Sequence, residues 1–327
     1  MRRKYDVCGI GNALVDMEYP VDDHFLERHG IAKGHMTLVD EARQAEITRQ
    51  LDGIEPQRGS GGSAANTLIA VSGFGGRAFY MCKVAADDTG AFFARDLAAA
   101  GVESNAHDDN EGGVSGRCLV LITPDAERSM NSFLGISQSL GTNELDETAL
   151  ADSECLYMEG YLCTSDTARA AVIRARQRAR EDGVKLFATL SDPSMVEFFR
   201  PQLAEMIGER VDHLFCNEAE ALGWTGTTHL DGAVEALREQ ADTFCITLGA
   251  RGSLIHDGNR VIRIEPEVVQ AIDSNGAGDI YAGAYIYGLT HDLGHEGAGR
   301  LASRAAARLV TRFGARLPFE EHRELLG

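Results

Sequence analysis

From residue 154 onward the chain alternates short apolar runs with amphipathic stretches, and this alternation constrains its fold more than any other feature. The runs at 154–158, 184–190, 211–216 and 243–248 have the length and flanking residues of strands. The stretches at 166–182, 196–208, 217–223 and 231–240 have helical length. Strands separated by helices imply parallel βαβ units, because parallel neighbours need a long crossover that a helix supplies. Residues 252–256 and 260–264 then read as a hairpin across 257–259, and 278–289 and 296–313 as closing helices. The expected class is α/β with a mostly parallel central sheet; there is no internal repeat and no low-complexity tract.

The first half is less regular. Residues 5–11 read as a short buried strand, 12–21 as a half-exposed strand, 40–51 as a surface helix and 63–74 as a second helix entered through a polar, glycine-rich connection at 56–62. A strand at 77–85 and a helix at 89–100 lead to a polar, hinge-like loop at 103–113. Runs at 115–123 and 128–134 then pair as a hairpin across 124–127, with no helix between them. Together with 13–40 this hairpin is expected to form a small antiparallel sheet apart from the main one. A small sheet inserted into an α/β body suits a lid that excludes water from a reaction. The expected division is therefore a large domain of 1–12, 41–112 and 137–327 and a discontinuous lid of 13–40 and 113–136.

Composition narrows the partners. With 327 residues and 44% hydrophobic content the chain can bury a large core, and its formal charge of −19 argues against nucleic acid as a partner. Arg174, Arg176, Arg178 and Arg180 scatter around a helix and read as a solvated face. The seven cysteines contain no C-x-x-C pair, which fits buried, reduced thiols in the cytoplasm. The basic start Arg2-Arg3-Lys4 is followed by Asp6, Asn12 and Asp16, which interrupt any signal-peptide core, and no run is apolar enough to span a membrane.

Polar residues collect where strands meet helices. Asp273-Ser274-Asn275-Gly276-Ala277-Gly278-Asp279 runs straight into an apolar helix. Two glycines at a helix start let backbone N–H groups approach an anion, aided by the helix dipole, and an aspartate there can take a proton from an attacking hydroxyl. The same residues would also serve as an ordinary helix cap. Asn217 followed by Glu220 is a capping box in its own right, and also a candidate second polar strand end. Thr247 to Gly252, with Gly249, reads either as a hairpin turn or as a backbone laid along a nucleotide. Asn12 and Asp16 lie just past the first strand, where open α/β sheets gather ligands, or simply face a turn and water.

Other chemistries lack their groups. Gly59 to Ala64 matches the loose dinucleotide pattern, but the fingerprint needs a strand immediately before its turn and 52–58 does not read as one. Gly61 and Gly62 instead allow close approach of a hydroxylated ligand, with Ser63 as a cap and Asn66 one turn into the helix. There is no Walker A sequence, no protein-kinase signature and no G-x-S-x-G elbow. His291 and His295 share a helical spacing without the glutamate of a zinc protease.

In combination, Gly61-Gly62-Ser63 with Asn66, Asn217-x-x-Glu220 and Asp273 to Asp279 resemble the successive signatures of the PfkB (ribokinase-like) kinases, in order and across nearly the whole chain. The resemblance implies a ribokinase-like three-layer sandwich with a small β lid, ATP as donor, Mg2+ and optionally a monovalent cation as cofactors, and a nucleoside or sugar hydroxymethyl as acceptor. It makes Asp279 the base and Asn275, Gly276, Ala277 and Gly278 the anion hole, and puts Asn217, Glu220, Thr247, Gly249, Gly252 and Asp273 on the nucleotide side, with Glu220 reaching magnesium through water. Within the family the likeness is to the adenosine kinase branch: Gly11 to Asp16 resembles its opening, Glu127-Arg128-Ser129-Met130 its lid segment, and Asn275 its form of the last motif. That branch implies acceptor contacts from Asn12, Leu14, Asp16, Gly61, Gly62, Ser63, Asn66, Arg128, Met130 and Tyr161, in a monomer or homodimer. Ser274 replaces a threonine, and Leu162 stands where a second aromatic is expected, which leaves inosine, guanosine or a plain sugar open as acceptors.

Overall fold

The computed structural model describes residues 3–34, 36–106, 112–125 and 127–327, and its strands sort into two sheets. In chain order they are β1 (Tyr5–Ile10), β2 (Leu14–Pro20), β3 (Met36–Leu38), β4 (Gln57–Gly61), β5 (Ala78–Met81), β6 (Val102–Ser104) and β7 (Gly116–Ile122). There follow β8 (Arg128–Phe133), β9 (Ser153–Met158), β10 (Lys185–Thr189), β11 (Val211–Asn217), β12 (Ala241–Thr247), β13 (Ser253–His256) and β14 (Val261–Ile264). The larger sheet has nine strands in the order β14-β13-β12-β11-β10-β9-β1-β5-β6. It is parallel from β6 to β12 and closes with the antiparallel β13 and β14.

Helices cover both faces, which explains why the central strands are continuous apolar runs rather than alternating ones. Alternate side chains feed two separate cores. Val7, Tyr157, Phe187, Phe215 and Cys245 join the core beneath the helices Ser63–Gly73, Ala277–Thr290 and Gly294–Leu309. Cys8, Leu156, Leu186, Leu214 and Phe244 join the core beneath Asp166–Glu181 and Leu230–Leu237. The result is a three-layer α/β/α sandwich. All seven cysteines are buried free thiols, and no helix among the described residues is long and apolar enough to cross a membrane.

The smaller sheet has the order β3-β8-β7-β2-β4. It is mixed, not antiparallel as expected: β2–β4 and β7–β8 are antiparallel, whereas β2–β7 and β3–β8 are parallel. A hairpin fixes only the pairing of its own two strands, and β2 meets β7 after the chain has passed through β5 and β6 of the other sheet.

Gln57–Gly61, expected to be a polar connection, is an edge strand, because the backbone ladder to β2 stabilises residues with little strand propensity of their own. This moves the ground on which the dinucleotide reading fails. Gly59 and Gly61 lie inside an antiparallel edge strand, so no parallel strand-turn-helix unit forms there. Val102–Ser104 likewise pairs at the sheet edge where a loop was expected, and positions 107–111 of that loop, with Arg2, His35 and Ala126, lie outside the described residues. The single helix expected at 196–208 is two, Pro193–Phe198 and Arg200–Ile207, with Pro201 opening the second. A proline in the first turn lacks the N–H a continuous helix would use.

Candidate active site

The order of the large sheet reverses around β1, which has β5 and β6 on one side and β9 to β14 on the other. Crevices at such reversals, beyond the carboxyl ends of the strands, are where open α/β sheets hold ligands. A cavity of about 410 Å³ opens there, lined by the ends of β1, β9, β10, β11 and β12, by the starts of two helices, and by the small sheet. That volume falls within the range of small-molecule sites.

The floor is built where the helices Ser63–Gly73 and Ala277–Thr290 pack together. Ser63 donates to Asp279 Oδ1 at 2.6 Å, and Asn66 Nδ2 donates to Asp279 Oδ2 at 3.3 Å. Asp279 is only half-buried, yet protein atoms crowd it on the pocket floor, and burial raises its carboxyl from 3.8 to about 6 against the lowering effect of the two donors. The chain enters the first helix through Gly62, whose φ of +98° favours glycine and where a Cβ would lie 2.2 Å from Asn12 O. With no side chain at that cap, the buried Glu159 takes its place, accepting from Ala64 N at 2.9 Å and from Asn12 Nδ2 at 3.0 Å. Burial lifts Glu159 to about 7, offset in part by the backbone donors Ala64 and Asn12. On β2, Asp16 lies over Gly61 and is raised to about 6 by burial, opposed by the charge of Arg316.

Asp273 shapes the loop ahead of the Ala277–Thr290 helix. Its Oδ1 accepts from Asn275 N at 2.9 Å and its Oδ2 from Gly314 N at 3.0 Å. Ala277 N donates to Ser274 O. Among the described residues this leaves the amides of Gly276, Gly278 and Asp279 without a protein acceptor, at a helix N-terminus that borders the cavity. Of the backbone N–H groups expected to form an anion hole, those of Asn275 and Ala277 are taken up within the loop and those of Gly276 and Gly278 are not.

Asn217 and Glu220 form the capping box anticipated: Asn217 N donates to Glu220 Oε2 at 3.0 Å, and Glu220 N to Asn217 Oδ1 at 2.8 Å. Burial raises Glu220 to about 7, with Asp192 adding to the rise. Both carboxylates line the cavity, and no cluster of three metal-ligating side chains exists among the described residues. This donor set suits a hydrated divalent cation held by one or two carboxylates through water.

Of the expected residues, the cavity wall contains Asn12, Leu14, Asp16, Gly62, Ser63, Asn66, Met130, Tyr161, Asn217, Glu220, Thr247, Asn275, Gly276, Gly278 and Asp279. Gly61, Arg128, Gly249, Gly252, Asp273 and Ala277 stand outside it. Arg128 is buried and paired, to Glu18 at 2.8 Å and to Asp273 at 2.9 Å, so it ties the small sheet to the loop before Asp279. Leu162, where a second aromatic was expected, lies in the core with 1% exposure and takes no part in the wall. The sequence reading missed Glu159 and Asp192, which follow β9 and β10. The rule that singled out Asn12, attention to polar residues just past a strand, would have found both. Met36, Leu38, Cys118 and Leu134, also on the wall, carried no such signal.

A small-molecule cavity at the switch point, with free amides of a helix start beside the half-buried Asp279 carboxylate, is the arrangement that phosphoryl transfer in a ribokinase-like fold requires. Residues 33–322 match the family described as pfkB family carbohydrate kinase, and the chain belongs to that family. It is similar to the ribokinase of Haemophilus influenzae, 26% identical over 84% of this chain and 89% of the relative, and to the adenosine kinase of Saccharomyces cerevisiae, 25% identical over 95% and 96%. Among solved structures, the adenosine kinase of Sinorhizobium meliloti superposes with a TM-score of 0.89 at 34% identity, covering 99% of this chain and 98% of that one. A probable sugar kinase from Rhizobium etli CFN 42 gives 0.88 at 31% identity, with 98% and 97% covered. The chain is accordingly a nucleoside or sugar kinase, a phosphotransferase with a hydroxyl acceptor and a small-molecule substrate, and the family implies use of ATP, typically with magnesium.

Proposed function

We propose that the protein transfers the γ-phosphoryl group of ATP to the 5′-hydroxyl of a nucleoside, with adenosine the acceptor and AMP the product. The observation that carries this reading is that one cavity holds both polar groups and a set of apolar side chains. Asn12, Asp16, Ser63, Asn66 and Asp279 supply the polar groups, and Leu14, Met36, Leu38, Met130 and Leu134, mostly from the small sheet, supply the apolar ones. A ribose offers hydroxyls to the first set, and a flat purine suits the second. A free sugar would set polar groups against apolar side chains that cannot hydrogen-bond them.

In this reading Asp16 and Asn66 hold ribose hydroxyls, and Asp279 accepts the proton of the 5′-hydroxyl as it attacks. The amides at Gly276 and Gly278 stabilise charge on the transferring group, and Asn217, Glu220 and Thr247 lie along the donor. Magnesium, when bound, neutralises phosphate charge. Phosphoryl transfer passes through a loose transition state, so positioning and charge stabilisation carry most of the catalysis.

A panel of adenosine, inosine, guanosine, ribose and fructose with ATP and magnesium tests the proposal; ribose or fructose turned over in preference to every nucleoside would overturn it. The pH dependence is a second test. Because Asp279 must be ionised to accept a proton and its carboxyl is raised to about 6, turnover should fall as pH drops through that value. Log kcat/KM, which reports the free enzyme, is expected to decline below about pH 6, and a limb near 4 would show that burial does not hold the Asp279 carboxyl up.

A further inference from the structure

We propose that Arg316 is a positioning residue for the acceptor side of this site, acting through the carboxamide of Asn66. Arg316 lies between the helices Gly294–Leu309 and Phe319–Glu324 and has no place on the cavity wall. Its guanidinium spans three elements. Nε donates to Asn66 Oδ1 at 3.1 Å, one terminal nitrogen donates to Ser60 Oγ on β4 at 2.9 Å, and the other pairs with Asp96 Oδ2 at 3.1 Å, on the helix Asp88–Ala99. Asp96 is itself fixed, accepting from Ser60 N at 2.8 Å and Ser60 Oγ at 2.6 Å.

A guanidinium has donors only, so the Asn66 atom that meets it must be the oxygen. The amide nitrogen is thereby turned toward Asp279 Oδ2. Without Arg316 the carboxamide is free to rotate by half a turn and set its oxygen against the carboxylate, which repels it and leaves Asp279 with one donor fewer. The neighbouring residues extend the brace to the anion loop: Gly314 N donates to Asp273 Oδ2 at 3.0 Å, and the backbone of Ala315 lies against Gly276. A single C-terminal turn thus sets both the orientation of Asn66 and the start of the Ala277–Thr290 helix.

The inference rests on the kinase reading, and two measurements separate their failures. In the full-length enzyme, with whichever acceptor the wild type phosphorylates, Arg316→Gln is expected to lower acceptor kcat/KM by roughly 10- to 100-fold, the cost of a small misplacement at a reacting centre, while KM for ATP holds. Arg316→Lys, which keeps the charge but not the fork, should recover only part. In an Asn66→Ala background, Arg316→Gln should cost less than about threefold more, because residues acting as one unit are not additive. If the glutamine variant does not fold, the lysine variant carries the same cycle.

The second measurement is independent of turnover. NMR titration of the Asp279 carboxyl should show it moved upward in Arg316→Gln, because the Asn66 donor is lost. The ionisable groups that face Asp279 are Asp16 of β2, Glu159 after β9, Tyr80, Tyr157 and Tyr161; because the charge of Arg316 also lowers Asp16, the control is Asn66→Ala, which keeps Arg316 and should raise Asp279 by itself, with Arg316→Gln adding little to it. Equal costs of Arg316→Gln in both backgrounds, or an unmoved Asp279 titration, would overturn the proposal. A wild type that phosphorylates no nucleoside or sugar would instead overturn the functional reading, and the titration would still decide the role of Arg316.

Discussion

Replacing Asp279 by asparagine is expected to lower turnover by roughly 10²- to 10⁴-fold, the usual contribution of a positioned general base, with ATP affinity little changed. The size follows from the placement of the carboxylate. Asp279 stands in the first turn of the Ala277–Thr290 helix, directly after the loop 273–276, so in the proposed reading the group that takes the proton and the amides beside the phosphoryl group are held together at one helix start. Steady-state kinetics would measure the loss; turnover close to that of wild type would remove Asp279 from the role.

The same substitution carries a signed effect on stability. The Asp279 carboxyl is raised in the folded chain, from 3.8 to about 6, so the folded state binds more protons than the unfolded state between those values. Its contribution to stability therefore declines as pH rises through that window, and the penalty is complete above about pH 6. Asparagine does not titrate. The melting temperature of Asp279→Asn minus that of wild type should accordingly increase from about pH 4 to about pH 7, as thermal unfolding at several pH values would show. A difference that shrinks over this range would mean that Asp279 is not held against ionisation by its surroundings.

Gly62→Ala has the second large expected effect. The backbone there has φ +98° and ψ 138°, a region nearly closed to other residues, so the substitution should cost about 1–3 kcal/mol in conformational strain alone. A Cβ would also lie 2.2 Å from Asn12 O, and relief of that contact must move either Asn12 or the start of the helix that carries Ser63 and Asn66. Acceptor kcat/KM should fall by about 100-fold, as for any ångström-scale displacement at a reacting centre. Gly59→Ala is the control: no atom lies within 4 Å of its Cβ position and its φ is not positive, so activity and unfolding should stay near wild type.

That contrast shows how far the residues alone are legible. The motif Gly59-Ser60-Gly61-Gly62 marks a close approach, but it does not say which glycine needs its lack of a side chain, because the reason for Gly62 lies across space in Asn12. Asp273 shows the same limit. Its place in the motif put it on the nucleotide side, whereas its carboxylate is occupied by Asn275 N, Gly314 N and Arg128 and acts by shaping the loop.

The alternation of strands and helices, the order of the three motifs and the choice of Asp279 as the candidate base are all carried by the order of residues along the chain. Each is a matter of local periodicity or of residues a few positions apart, and local spacing survives in a linear sequence. Tertiary structure decided the rest. Pairing of Gln57–Gly61 with β2 made a strand of a segment with no propensity for one. The ends of β9 and β10 brought Glu159 and Asp192 to the cavity, and Arg316 reached Asn66 across 250 positions. Such contacts depend on which elements pack together, and the pattern of residues along a single element does not record its neighbours.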